Sequence, residues 1–284
     1  MAAPNVIAST PLRKTIATIV MWIAGLGSAL PLIWMISSSL RPSNEIFAHL
    51  STLSWRIFVP EVWTAQNYSA VLTGEFARAA GNSVFVTAVT VVVGLAISAL
   101  AAFALSVMNF RGAKAMFSIV VLSFLIPFDA IAIPLASLFR EWDLDNTFTG
   151  LILPGLANGF AIFILRQHFM GIPTELSEAA RVDGLRWFGI LWRIYLPLSR
   201  PALIGAGFTL FLFQWGAYLW PLLIGTAPDK VLGPIALANL SGQFSVDFGA
   251  IFAGSVVLTI VPAVLLLIFQ KHFTASLAAT GSKG

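Results

Sequence analysis

Cysteine is absent from this chain, which excludes disulfides, iron–sulfur clusters and thiol chemistry. Charge is scarce. Only 10% of the 284 residues are Asp, Glu, Lys or Arg, against roughly 25% in soluble domains. Histidine occurs at His49, His168 and His272, too scattered for a metal constellation. No G-x-x-x-x-G-K-[ST] run is present, so no phosphate-cradling loop of that kind is expected. No His/Cys/Asp cluster surrounds a nucleophile, which leaves a membrane-embedded enzyme without support. What remains is apolar: 58% hydrophobic residues and a mean hydropathy of +0.90. That combination describes a polytopic membrane protein. The net charge of +4 and pI near 9.8 would suit a nucleic-acid binder. The basic residues, however, sit in short loops beside apolar runs, the pattern of membrane orientation. No nucleic-acid partner is expected; the partner that composition implies is the lipid bilayer.

Six apolar intervals divide the chain, and the expected fold class is all-α with six transmembrane helices. Residues 1–14 form a tail ending in Arg13 and Lys14. The first span, 15–40, is too long for a signal-peptide core and is expected to stay uncleaved. Residues 41–80 make an extracytoplasmic segment with Pro42, Trp55, Pro60 and Trp63. Residues 81–270 hold a five-helix core, with spans expected at 81–110, 115–139, 147–165, 201–228 and 248–270. The second of these is interrupted by Pro127, Asp129 and Pro134. A polar loop at 166–200 lies inside this core, and 271–284 form a C-terminal tail. Six spans place both termini on one side. The termini and the loops after spans two and four carry eleven Lys or Arg (13, 14, 111, 114, 166, 181, 186, 193, 200, 271, 283), and the opposite side five. Excess Lys and Arg mark the cytoplasm, so both termini and the 166–200 loop are expected there.

The stretch Glu178–Pro197, EAARVDGLRWFGILWRIYLP, is the most informative interval. Thr174 is a candidate N-cap, with Glu175 favourably placed in the first turn. Glu178 and Arg181 are spaced to pair at i,i+3. Gly184 offers the left-handed position that ends a helix. A second helix fits 185–194, with Phe188, Leu191, Trp192 and Tyr195 on one apolar stripe. Pro197 and Pro201 stop it before the fifth span. Ala179 and Ala180 leave a low surface for another protein, edged by Glu178, Arg181 and Asp183. The competing reading is two interfacial helices on the lipid headgroups, for which Trp187, Trp192 and the arginines are suited.

The spacing E-A-A, three residues, Gly, nine residues, I-x-L-P is met by Glu178, Ala179, Ala180, Gly184, Ile194, Leu196 and Pro197. This resembles the EAA motif of inner-membrane permeases of binding-protein-dependent, type I ABC importers. PLIWMISSSLRPSNEIF (31–47), the stretch 146–184, LPLSRPAL (196–203) and YLWPLLIG (218–225) look like the carbohydrate-uptake branch, in particular its maltose- and glycerol-3-phosphate-type second permease. The resemblance implies a bacterial cytoplasmic (inner) membrane protein. It implies a heterodimer with a second permease, two ATPase subunits carrying ATP and Mg, and an extracytoplasmic solute-binding protein. This chain would bind no cofactor and would have no ATPase site of its own. The resemblance also makes Glu178, Ala179, Ala180, Asp183 and Gly184 a coupling helix docked in a cleft of the ATPase. It extends a weaker role, reaching between the ATPases, to Gly281, Lys283 and Gly284 of the tail, where a frayed terminus is the alternative.

Three further groups are candidates. Asp129 is an ionisable residue within a span, a functional signal by default, or a cap for backbone freed at a broken helix. Gln214, Trp215 and Tyr218 crowd the fifth span, where aromatic faces suit a sugar ring; core packing is the alternative. Trp215-Gly216 departs from the commoner Trp-Asn of the family. The outer loop 229–247, with Gly233, Asn239, Gly242 and Gln243, is expected to touch the binding protein or to form an ordinary hairpin. The reading is a permease subunit translocating a carbohydrate or polyol-phosphate by alternating access, with energy from an external motor. The rival is an ion-gradient-driven secondary transporter, weakened by a single intramembrane acid and no detectable inverted repeat.

Overall fold

A computed structural model describes residues 11–48, 54–242 and 246–281. The described residues are helical apart from turns and one isolated bridge, Ser241 to Val246. Among the described residues, four helices are long and apolar enough to cross a bilayer: Leu12–Ser39, Glu75–Val107, Phe148–Met170 and Phe248–Gln270. Two bent helix pairs, Ala113–Leu125 with Phe128–Glu141 and Trp187–Leu198 with Arg200–Trp215, bring the number to as many as six if each pair is one span. The chain divides into two units, one of residues 1–72 and 240–257, the other of 73–239 and 258–284.

In the first unit, helix α1 (Pro11–Ser39) is exposed along most of its length, and its end is knotted by polar contacts. Arg41 is buried, 2% exposed. Its Nη2 donates to Ser37 Oγ (2.7 Å) and to the carbonyls of Arg56 (3.2 Å) and Ile57 (3.0 Å). Burial lowers its pKa from the ordinary arginine value, with Glu45 opposing the shift. Helix α2 (Gln66–Leu72) supplies Asn67, whose Nδ2 donates to the carbonyls of Ser39 and Arg41, both at 2.9 Å. Ser43 Oγ donates to Asp247 Oδ1 (2.6 Å), and that carboxylate in turn accepts from Ala250 N (3.1 Å) at the start of the final helix.

The second unit is built around α3 (Glu75–Val107), where Ala79, Ser83, Thr87, Thr90, Gly94, Ser98 and Ala102 form a buried line of small residues. Small side chains let helices approach closely in a membrane. At Gly94 an added Cβ would lie 3.3 Å from the Leu156 carbonyl. Around α3 pack α6 (Phe148–Leu156), α7 (Gly159–Met170), α11 (Arg200–Trp215) and α13 (Gly233–Asn239).

Three expected spans are not straight rods. The third consists of α4 (Ala113–Leu125) and α5 (Phe128–Glu141), bent by 95°. Pro127 removes an N–H and pushes Ile126 to an extended ψ of 120°, which ends α4 there. The fourth breaks after Leu156, and Asn158 caps its second half by accepting from Ala161 N at 2.9 Å. The expected fifth span, 201–228, stops as α11 at Trp215 and resumes as the short α12 (Leu219–Ile224). Within the expected outer loop, the Ala- and Leu-containing α13 starts with Pro234 in its first turn. The last helix, α14 (Phe248–Gly281), continues past the expected end of the sixth span at residue 270.

Candidate coupling site

The EAA stretch forms α8 (Thr174–Val182), followed by a bend and a second helical run, Trp187–Leu198. Thr174 is the first helical residue; the cap position belongs to Pro173, which has no side-chain oxygen to give. Thr174 instead offers its carbonyl to Ser177 Oγ at 2.7 Å. At the other end, Gly184 takes φ +84°. Its N–H donates to Arg181 O (3.0 Å), and Leu185 N donates to Ala180 O (2.9 Å). This is the Schellman arrangement, which uses up the last carbonyls of the helix and fixes the exit direction of the chain.

The second run contains α9 (Trp187–Ile190), a π-helical turn (Leu191–Tyr195) and α10 (Leu196–Leu198). Pro197 has no N–H for the bond to Arg193 O, and Leu196 N reaches back to Leu191 O instead. The expected single stripe is therefore divided. Leu191 and Tyr195 are buried, whereas Phe188 and Trp192 are exposed and stacked on each other at 6.3 Å.

The inner side of the loop belongs to the core. Ala180, Ile190, Leu191 and Tyr195 pack with Phe103 of α3 and with Leu165 and Phe169 of α7. The Tyr195 ring meets the rings of Phe103 (5.1 Å) and Phe169 (5.5 Å) edge-on. Ala180 is thus an anchor, and the low outward surface is Ala179 alone. Arg181 does not pair with Glu178; its guanidinium lies 4.9 Å over the Trp187 ring, tying α8 to the second run. The outward face presents Glu175, Glu178, Ala179, Val182 and Asp183. Val182 is 88% exposed, an apolar centre amid charge that sequence reading passed over. The face is thus rooted in the close-packed core behind it.

The model of the binding-protein-dependent transport system inner membrane component family matches residues 94–278. The chain belongs to that family. The permease is 37% identical over 282 residues to the arabinooligosaccharides transport system permease protein of Halalkalibacterium halodurans, covering 96% of this chain and 99% of that one. It is 32% identical to the trehalose transport system permease protein of Mycobacterium tuberculosis, covering 90% and 92%. In fold it resembles a chain from the crystal structure of a bacterial ABC transporter that imports alginate, with TM-score 0.79, 24% identity, and 95% and 100% of the two chains covered.

The remaining candidates are dispersed in the permease. Gln214 is buried, and an added Cβ on Gly155 would sit 2.8 Å from its Oε1 and 2.7 Å from Thr90 Cγ2. It stands where α3, α6 and α11 meet. Trp215 stacks on Phe211 (5.6 Å) and lines an apolar groove of about 670 Å³ between α3, α11 and residues 260–269 of α14. A hydroxylated solute gains no hydrogen bonds in such a groove and loses its water. Tyr218 is 47% exposed in the link between α11 and α12. Asp129 is exposed in the first turn of α5, just past the 95° bend, and does not cap the helix through its side chain. Gly233 is buried, with its N–H on Ser83 Oγ at 2.8 Å. Asn239 and Gly242 are exposed. Gln243, Lys283 and Gly284 lie outside the described residues, and Gly281 is the last residue of α14.

Proposed function

We propose that this permease carries a carbohydrate or a related polyol-phosphate inward, driven by ATPase subunits that grip α8. The observation that carries the reading is the core-rooted loop with its outward Glu178, Ala179, Val182 and Asp183. ATP and Mg²⁺ belong to the ATPases, and a second permease completes the path. ATP binding closes the ATPases, α8 moves with them, and the buried Ala180, Leu191 and Tyr195 carry that movement to α3 and α7. The pair of permeases then turns from inward- to outward-facing, and hydrolysis resets it. The named sugar systems of the relatives support the solute class.

The excess of Lys and Arg supports cytoplasmic termini and a cytoplasmic α8. Of the solute-path candidates, Asp129 and Tyr218 are accessible, Gln214 is a packing residue, and Trp215 belongs to the apolar groove. A solute-binding protein on the outer side has Asn239 and Gly242 to contact; Gly233 is enclosed. Uptake by cells carrying the full transporter tests the reading. It should stop on ATP depletion and survive collapse of proton and sodium gradients. The opposite pattern establishes the ion-driven alternative. Co-purification from native membranes should recover an ATPase and a second permease.

A further inference from the structure

The Trp187–Leu198 run meets α11 at 86°. With α11 crossing the bilayer, the run lies along its surface. One side of it is fastened to the core through Ile190, Leu191 and Tyr195. The other side carries two large aromatic rings in the open: Phe188 is 68% exposed and Trp192 64%. The two rings are nearly parallel, 11° apart, and form a shallow hollow with Gly189 and Arg193.

Charge separates this surface from α8. Between Leu185 and Arg200 there are three arginines, Arg186, Arg193 and Arg200, all exposed, and no acid. On α8 and its cap, Glu175, Glu178 and Asp183 face a single basic residue, Arg181. A protein complementary to the acidic face is repelled by the arginine face, so the two surfaces serve different partners. Exposed Trp and Phe beside arginines on a helix in the membrane plane match the interfacial environment. There the rings sink roughly 5–10 Å to the headgroup boundary while the guanidinium groups reach phosphates.

We propose that the Trp187–Leu198 run is an in-plane anchor. It seats Phe188 and Trp192 among anionic phospholipid headgroups of the cytoplasmic leaflet, with Arg186 and Arg193 on the phosphates. The anchor holds the base of the coupling loop at a fixed depth, so that movement of α8 turns the core instead of sliding the loop along the membrane. The proposal rests on the cytoplasmic placement of the loop given above.

The test uses the transporter purified with its partner subunits and reconstituted in nanodiscs. The discs contain phosphatidylcholine and phosphatidylglycerol, with one or the other brominated near the headgroup end of its chains. Subtracting the fluorescence of a Trp192→Phe complex isolates the Trp192 signal. That signal should be quenched, and more strongly by brominated phosphatidylglycerol. The preference should fall about fivefold for each arginine removed in Arg186→Gln and Arg193→Gln. Absent quenching or equal quenching by the two lipids overturns the proposal; quenching that appears only once the ATPase subunits are stripped off overturns it too and makes the face a protein contact. Topology is read separately by labelling Val182→Cys, the only thiol in that variant, from either side of membrane vesicles. Labelling from the outside overturns the placement and the anchor together, whereas cytoplasmic labelling without lipid quenching overturns the anchor alone.

Discussion

Replacing Gly184 should uncouple ATP hydrolysis from transport in proportion to backbone strain, not side-chain bulk. An added Cβ meets no atom within 4 Å, and the residue sits at φ +84°. The cost of alanine is therefore the left-handed conformation alone, about 1–2 kcal/mol. That reduces the population of the native bend about 5- to 30-fold relative to competing conformations. Asparagine tolerates the left-handed region and should cost less. Proline fixes φ near −65° and deletes the N–H that donates to Arg181 O at 3.0 Å, a loss of about 3 kcal/mol or more. The order of solute molecules taken up per ATP in proteoliposomes should be Gly, then Asn, then Ala, then Pro, with comparable amounts of protein in the membrane. An alanine variant that couples normally, or an asparagine variant worse than alanine, refutes the argument that the Schellman geometry sets the angle of the loop.

Three other outcomes are expected. Glu178→Lys reverses charge on an exposed face and should lower uptake and ATPase recruitment while leaving membrane insertion intact, as read by co-purification. Gly155→Ala drives a methyl group into Thr90 Cγ2 and Gln214 Oε1 and should cost about 1–3 kcal/mol in thermal stability; adding Thr90→Ser should recover part of the loss. Arg41→Met removes the donor to the part-buried carbonyls of Arg56 and Ile57, at about 0.5–1.5 kcal/mol for each hydrogen bond lost. It should raise protease sensitivity of the 54–72 segment without changing the ATPase rate of detergent-solubilised transporter.

The long spans were legible because bilayer thickness imposes uncharged runs; Leu12–Ser39 and Phe248–Gln270 fall where composition puts them. The bends were harder to read. Pro127 and Pro134 both lie in the third span, but only Pro127 marks its sharp break, since Pro134 is carried inside α5. Neighbouring helices decide which freed carbonyls are satisfied, and one sequence does not show its neighbours. In the 166–200 loop, Gly184 was readable from helix-ending chemistry alone. The faces were not. Phe188, Leu191, Trp192 and Tyr195 share a stripe by spacing, yet the core takes Leu191 and Tyr195 and leaves the other two outside. The burial of Arg41, at the start of the 41–80 segment, is not legible, because nothing local announces the carbonyls of Arg56 and Ile57 that enclose it.

Tyr195 rests on Phe103 and Phe169, side chains supplied by much earlier parts of the chain. At synthesis rates of roughly 5–20 residues per second, on the order of ten seconds separates Phe103 from Tyr195 as they leave the ribosome. Until both helices are inserted and the later segment has arrived, α8 has nothing to stand on. On the proposed coupling, a truncated or half-inserted chain therefore offers no firm grip to an ATPase. The order of assembly is written into the packing, and under the coupling proposed above, subunit recruitment would double as a check that membrane insertion is complete.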